Sequence, residues 1–497
     1  MTNIRTRFAP SPTGFLHVGG IRTALFAFLV ARQNNGRFIL RLEDTDKVRE
    51  VPGSREHLIA SLKALGLNYD EGPDSGGDFG PYIQSERLDI YRKYAEKLID
   101  LGLAYADPYD SAKMQELREQ AQTEKKAFRY RDYRPENPPT WDGSQPLRFK
   151  SNPKSYTYHD EVMGYITTSP EVIDDIILIK SDGYPTYNFA HIIDDLEMKI
   201  THVIRGQEFI SSMPNYLALY EALGFDMTTL QAVTQEEEQA NELVSKPLLP
   251  VFAHMPHIMN EQGNKKLGKR DGAKDVLDYI RDGYLPEALD SFIATMGWND
   301  GTEQEVFTMD ELIDKFSLSR VQRSGARFDE KRLLWVNGHF IRELSLDELY
   351  KRVEFFWPEA AGKHPESYKR KVLSLAQDRL KTLRDLAPLT DYFFEEPAVD
   401  WSLISDNKQL KKLSDNEIKT LLGTTIDTLS AIDDWTSEAV QEALNRLLET
   451  TGQKPGTLFS LIRIATTWAA FSPQLNDTLV LIGKDRTINR LGNAQNQ

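Results

Sequence analysis

"RFAPSPTGFLHVGG", residues 7–20, sets two prolines, three glycines and one histidine between a segment that reads as a short strand, residues 3–8, and one that reads as a helix, residues 21–33. The helix stops at Asn34-Asn35-Gly36 and residues 37–43 read as a second strand, so the stretch is the first turn of a βαβ unit. A strand-loop-helix turn aims unpaired amide hydrogens and the positive end of the helix at whatever lies above the sheet, which suits an anion. Glycine at 14, 19 and 20 leaves room for a flat base or a phosphate against the backbone, Pro10 and Pro12 stiffen the approach, and His17 offers a donor. Taken alone, the same residues read equally as an ordinary turn with a satisfied loop histidine. The stretch is not a Walker loop, because no GK[ST] follows, and it lacks the GxGxxG order of dinucleotide sites.

Around this turn lies a chain of 497 residues, 40 % hydrophobic and 27 % charged, long enough for three or four domains with cores of their own. No apolar run approaches the roughly 18 residues of a membrane span, so no membrane partner is expected. The start, MTNIRTRFAP, carries no apolar signal core or amphipathic presequence and the chain has no cysteine, which predicts a cytoplasmic address without disulfides or thiol-bound metal. A net charge of −15 does not exclude nucleic acid, since local basic patches govern that binding. No fixed-period repeat, heptad seam or other oligomer signal is found. Residues 171–180 and 201–205 read as strands resuming the α/β pattern, the second running into a helix that stops at Gly224. The proline-broken, charge-rich stretch between, 81–168, reads as an inserted domain. Beyond about residue 276 the periodicity is helical, with a break at "QRSGARF", residues 322–328.

A second stretch decides how the first is read. "GNKKLGKRDGA", residues 263–273, is a glycine-punctuated basic loop whose Lys266 and Lys269 suit a polyphosphate, although alone it reads as well as a solvated charge run. With the opening turn it resembles the HIGH and KMSKS signatures of class I aminoacyl-tRNA synthetases, here His17-Val18-Gly19-Gly20 and Lys266-Leu267-Gly268-Lys269-Arg270. "RFAPSPTG", "RFILRLEDTD", "GLNYDEGPD", "KSDGYPTYNFA" and "HVIRGQE" narrow the resemblance to the glutamyl-tRNA synthetases, through "FDEKRLLWVNGHFIREL" at residues 328–344 and more loosely beyond.

The resemblance implies an α/β fold: a Rossmann-type catalytic domain in two halves, 1–80 and 169–250, around a connective acceptor-binding domain at 81–168. A stem-contact domain at 251–322 and an all-helical anticodon-binding region at 323–497 complete the expected order. It implies a monomer, with ATP, L-glutamate and tRNA(Glu) as partners and Mg2+ carried in on ATP, and a reaction that forms glutamyl-adenylate before transfer to the 3'-terminal adenosine. Such a step needs alignment and charge stabilisation more than proton transfer. His17, Lys266 and Lys269 are then the catalytic candidates. Ala9, Ser11, Gly14, Gly19, Gly20, Glu208, Phe209 and Ile258 join them around ATP. Arg7 and Arg205 become carboxylate clamps, Glu43 the partner of the α-amino group, and Ser11, Tyr187 and His191 flanking contacts. Isolated, each arginine would read as a salt bridge. Arg41 and Asp44 read as scaffold, turned away from Glu43 by alternation along the strand.

Several positions depart from the family pattern: Gly268, Asp271, Phe209 and His191. "LAYADPYD" and "FRYRDYRP" lack the cysteines that bind zinc in some relatives, so zinc is not expected, and His254 and His257 of "HMPH" read as structural. The acidic "QEEEQANELVSK", residues 235–246, reads as a solvated helix. Lys369, Arg370, Lys371, Arg379, Lys381 and Arg384 offer a phosphate-tracking surface, or equally ordinary solvated faces. Besides a glutamate–tRNA ligase, the sequence admits a catalytically inactive tRNA-binding paralogue. It also admits an enzyme of the same fold with another acceptor, against which "HVGG" and the long helical C-terminal region speak.

Overall fold

All four residues of β1 (Arg5–Phe8) are buried, as they must be in a parallel strand covered on both faces. The chain then enters α1 (Val18–Gln33), where Ile21 and every residue of 24–31 are buried, so this helix is apolar nearly all round and belongs inside the layer. It returns through β2 (Arg37–Leu40), parallel to β1 with Thr6 opposite Phe38 and Phe8 opposite Leu40. The expected βαβ unit is therefore present, each element within three residues of its predicted bounds. This computed structural model describes residues 4–229, 247–268 and 274–497. The chain divides into two units, one of Met1–Tyr279 with Leu289–Glu330 and one of Ile280–Ala288 with Lys331–Gln497.

In the first unit, α2 (Ser54–Ala64), α3 (Leu88–Asp100), β3 (Ala104–Ala106), α4 (Ser111–Thr123) and β4 (Leu147–Phe149) follow β2. Next come β5 (Thr157–Asp160), β6 (Gly164–Thr167), β7 (Ile177–Ile179), α5 (Tyr187–Glu197), β8 (His202–Gly206) and α6 (Met213–Ala222). After β9 (Asp226–Thr229) and β10 (Leu248–Leu249), which pair with each other, come β11 (Val251–Met255) and β12 (Ile258–Met259). The main sheet has six strands in the order β2-β1-β8-β11-β5-β6, parallel except for the β5–β6 hairpin.

Four strand pairings cross the expected domain borders. β7, read as the point where the α/β pattern resumes, pairs antiparallel with β4 in a separate three-stranded sheet, β3-β4-β7. The β5–β6 hairpin, placed in the insertion, instead extends the main sheet, with Asp160 opposite Phe252. One apolar core explains why composition marks no border: Leu147, Phe149 and Leu178 of the small sheet share a buried cluster with Tyr158, Val203 and Phe252 of the large one. Likewise β11 is a central strand, so residue 251 begins no new layer. Finally, residues 326–327 form a strand, β13 (Ala326–Arg327), parallel to β12, so the first unit runs on past 322 to Glu330. The glycine of "QRSGARF" is required by that approach, since a Cβ on Gly325 would lie 2.9 Å from the His257 carbonyl and 2.7 Å from Met259.

The second unit is built of helices. Ser414 opens the helix Asp415–Ser430 with a capping box, and Gly452, in the left-handed region at φ 64°, closes the helix Ser437–Thr451. Leu422, Leu444, Leu461 and Leu479 meet in one buried core and Val372, Tyr392 and Phe393 in another. Of the basic residues singled out, Arg370 is engaged by Glu366 and Asp347, and Arg384 by Asp282. Arg379 and Lys381 line a cleft of about 670 Å³ with Arg463 and Phe471.

Candidate active site

At the sheet's midline the chain leaves β1 towards β2 and leaves β8 towards β11 on the other side, which opens a crevice at the carboxyl ends of β1 and β8. Two segments rise there: the loop 9–17 after β1 and the turn Gln207–Ser212 after β8. The first is pinned from beneath, because the Pro10 and Pro12 carbonyls accept from the amides of Glu43 and Val51 at 3.0 and 2.9 Å. His17 is the N-cap of α1: its Nδ1 accepts from the Gly19 amide at 3.3 Å, and no acidic residue occupies the first turn to cancel the helix's positive end. One expectation about the glycines changes in kind. A Cβ on Gly20 would sit 2.6 Å from the buried Leu16 Cδ1, so any side chain there would have to displace Leu16, and the chain's own packing already favours glycine.

The lysine loop approaches from the other flank. Met259 and Lys266 form an antiparallel bridge and the Leu267 amide donates to the Ile258 carbonyl, so a tight hairpin carries Lys266 beside the buried Ile258. Lys266 Nζ lies 3.9 Å from Glu208 Oε1, and His257 Nδ1 lies 3.8 Å from Glu208 Oε2. On the far side, Asp275 bridges to His17, ahead of α7 (Val276–Arg281). The two flanks of the loop thus stand at Glu208 and at His17. Lys269, Arg270 and Asp271, like the acidic residues 235–246, lie outside the described residues.

Deeper in, the amino-acid candidates form one buried cluster. Arg7 donates to both oxygens of Asp195 (3.1 and 3.4 Å) and to the Ile204 carbonyl at 3.2 Å. Arg41 donates to Glu43 Oε1 at 2.9 Å and to Asp195 Oδ1 at 2.7 Å, with Asp194 3.6 Å away. This corrects the reading of Arg41 as turned from Glu43: two residues apart on extended backbone they share a side, and only Asp44 points elsewhere, to Lys47, Arg55 and Ser85. Burial pushes the Glu43 carboxyl up to about 7 against the pull of Arg41 and Arg7. Asp195 is pushed the same way by burial, yet its two arginines outweigh it and hold the carboxyl below its ordinary value.

Arg205 is different. It is 5 % exposed, and its partners are neutral: Nε donates to His254 Nε2 at 3.1 Å, Nη1 lies 3.3 Å from His191 Nε2, and Nη2 lies 3.0 Å from the Met213 sulfur. The rings of Phe209 and Tyr216 face its guanidinium at 4.9 and 5.0 Å. No carboxylate among the described residues comes within ion-pair distance of it. Burial, then Arg205 itself, hold His191 far below its ordinary value, so its Nε2 accepts while Nδ1 donates to the Tyr187 carbonyl at 2.8 Å. Tyr187 stacks between His191 (4.7 Å) and Phe209 (5.2 Å). Tyr187, His191, Arg205 and Phe209 therefore form one contiguous wall. Ser11 is exposed on the first loop, with Ala9 and Gly14 half-buried beside it. Asp195 and Asp160 were not anticipated, and "HIIDDLEM" carried the signal for the former: two adjacent acids on a helix otherwise apolar on that side.

A lysine-bearing loop and a wall of buried arginines over the crevice of a mostly parallel sheet, in a chain with a helical second unit, point to one protein class. The chain is a member of the class I aminoacyl-tRNA synthetases: residues 3–249 and 247–335 match the family "tRNA synthetases class I (E and Q), catalytic domain", and residues 348–495 match the "Anticodon binding domain" family. Within that class it is 39 % identical to a glutamate–tRNA ligase of Clostridium botulinum (strain Okra / Type B1), covering 99 % of this chain and 98 % of that one. It is 38 % identical to that of Clostridium novyi (98 % and 96 %). Its fold is similar to the crystal structure of a glutamate tRNA ligase from Elizabethkingia meningosepticum in complex with its amino acid, with a TM-score of 0.83, 31 % identity, and 100 % and 99 % of the two chains covered. None of these supports an inactive paralogue.

Proposed function

We infer that this chain is a glutamate–tRNA ligase, an ATP-dependent enzyme that joins L-glutamate to tRNA(Glu). The observation that carries the reading is Arg205, a buried cation with three neutral partners. Of its five N–H groups, one on Nη1 and one on Nη2 have no partner among the described residues. A carboxylate accepts such a fork with both oxygens; an amide would leave a buried charge uncompensated. Arg205 is therefore assigned to the γ-carboxylate, with Arg7 at its side, and Glu43 to the α-ammonium.

In the first step an α-carboxylate oxygen of glutamate attacks the α-phosphorus of ATP, the bond to the β-phosphate bridging oxygen breaks, and pyrophosphate departs with that electron pair. We assign adenosine and the α-phosphate to His17 and the α1 amides, and the departing pyrophosphate to Lys266 and, from the sequence motif alone, Lys269. In the second step the terminal ribose hydroxyl attacks the glutamyl carbonyl and AMP leaves. Magnesium would arrive on ATP with phosphate ligands. Among the described residues no group of three or more His, Cys, Asp or Glu could hold a metal ion. We assign the small sheet β3-β4-β7 to the acceptor end of tRNA and the helical second unit to its anticodon arm, with the enzyme acting as a cytoplasmic monomer. Among the described residues no helix is long and apolar enough to cross a membrane.

Glutamate-dependent exchange of pyrophosphate into ATP, with and without tRNA(Glu), tests the reading. Exchange with glutamate and not glutamine is expected; no exchange with either, in folded protein, ends it.

A further inference from the structure

We propose that Asp160 and His254 are a positioning pair that keeps Arg205 hydrogen-bonded yet unneutralised, and thereby sets the pocket's preference for a carboxylate over an amide. The proposal rests on the assignment of Arg205 to the γ-carboxylate. Asp160, on β5, is fully buried and takes four donors: the amides of Val162, Met163 and His254 at 3.0, 2.9 and 3.2 Å, and His254 Nδ1 at 2.6 Å. An ionised carboxylate in that position can only accept, so it fixes the Nδ1–H tautomer of His254. The lone pair of His254 Nε2 is then the one group that Arg205 Nε meets, at 3.1 Å. His254 and Arg205 stand opposite each other on neighbouring strands, so the relay crosses β5, β11 and β8 in order.

The imidazole works as a spacer. Each N–H of a buried guanidinium needs an acceptor. A carboxylate in direct contact would satisfy Nε but would also neutralise the cation, as Asp195 does for Arg7. Passing the contact through a neutral imidazole satisfies the donor and keeps Asp160 beyond ion-pair distance, so the positive charge stays available to the substrate. Burial holds His254 below its ordinary value, with the Asp160 hydrogen bond pulling the other way and Arg205 lowering it further, in keeping with a ring that stays neutral while it accepts.

Asp160→Asn tests the pair, because the amide can donate to Nδ1, reverse the tautomer and present Nε2–H to Arg205 as a second donor. Loss of one hydrogen bond to a charged group should raise the KM for glutamate by about tenfold to a hundredfold. The KM for ATP should stay within about threefold, and the glutamate-to-glutamine ratio of kcat/KM should fall with the first. His254→Gln, whose amide oxygen can still accept from Arg205, should keep part of the selectivity; His254→Leu should lose it. Thermal unfolding identifies a variant that fails to fold, and His254→Gln then carries the test. Unchanged glutamate KM and selectivity in folded variants, or equal rises in both KM values, would overturn the proposal. Absence of glutamate-dependent exchange in the unmodified enzyme would instead strike the functional assignment beneath it.

Discussion

The two ends of the cleft manage charge in opposite ways. At the amino-acid end, Arg7, Arg41 and Arg205 are all buried, and every partner is fixed before substrate arrives: Asp195 and Glu43 for the first two, neutral imidazoles for the third. At the nucleotide end, Lys266 and Glu208 are about half-exposed and stand 3.9 Å apart, a pair worth at most about 1 kcal/mol in water. The difference matches the two recognition problems. Selecting one carboxylate among similar amino acids calls for a low-dielectric, preorganised cation, whereas a polyphosphate carries charge enough to be gathered by a solvent-exposed lysine such as Lys266.

The comparison breaks first at Arg205. Arg205→Met removes the cation and leaves His191 and His254 without their donor; kcat/KM for glutamate should fall on the order of a thousandfold, as when one member of a buried charge pair is lost. Pyrophosphate exchange at varied glutamate measures it, and a loss under tenfold would mean that the substrate carboxylate sits elsewhere. Lys266→Ala at the open end should slow adenylate formation by about a hundredfold, the typical worth of one charged donor to a transition state. Its effect should fall on the chemical step in single-turnover measurements while the glutamate KM holds. Equal damage to both substrates would erase the division between the ends.

How far the sequence alone reached follows the same division. The turn at 7–20 was readable because glycine and proline act locally, and the βαβ unit around it appears where expected; that His17 caps α1 was not read from the sequence. Lys266 stood out only through the resemblance of its loop, which alone reads as well as a solvated charge run. The buried charge network was not. Arg41 and Glu43 differ by two positions and so share a side of the extended chain, but the partner that draws Arg41 inward, Asp195, lies 154 residues away on α5. Asp160 was hidden for a related reason, since only the pairing of β5 with β11 brings it to His254, and nothing local in the hairpin specifies which sheet it joins. Long-range pairings also cross the expected borders: β7 joins β4 through a core continuous with that of the large sheet, where composition shows no seam, and β13 pairs with β12.

A gentler perturbation sharpens the comparison through Glu43. Burial outweighs Arg41 and places this carboxyl at about 7, so near neutrality a modest pH change alters its charge without mutation. The groups around it do not follow. His191 and His254 lie below their ordinary values, Asp195 is already ionised, and the facing arginines stay charged. If ionised Glu43 holds the α-ammonium, glutamate affinity should weaken by about tenfold for each unit below pH 7 and level off above it, while ATP affinity stays flat. Glu43→Gln should raise the KM and remove the slope. Stability should move the other way, since the folded state keeps a proton that the unfolded chain releases near its ordinary carboxyl value. Glu43's contribution is thus fully present below that value and is lost as pH rises through about 7. The wild-type melting temperature should therefore fall relative to Glu43→Gln between about pH 4.5 and 7, over the same range in which glutamate affinity improves. Parallel curves for the two proteins would show that Glu43 titrates outside this window, and that its end of the cleft is no more preorganised than the other.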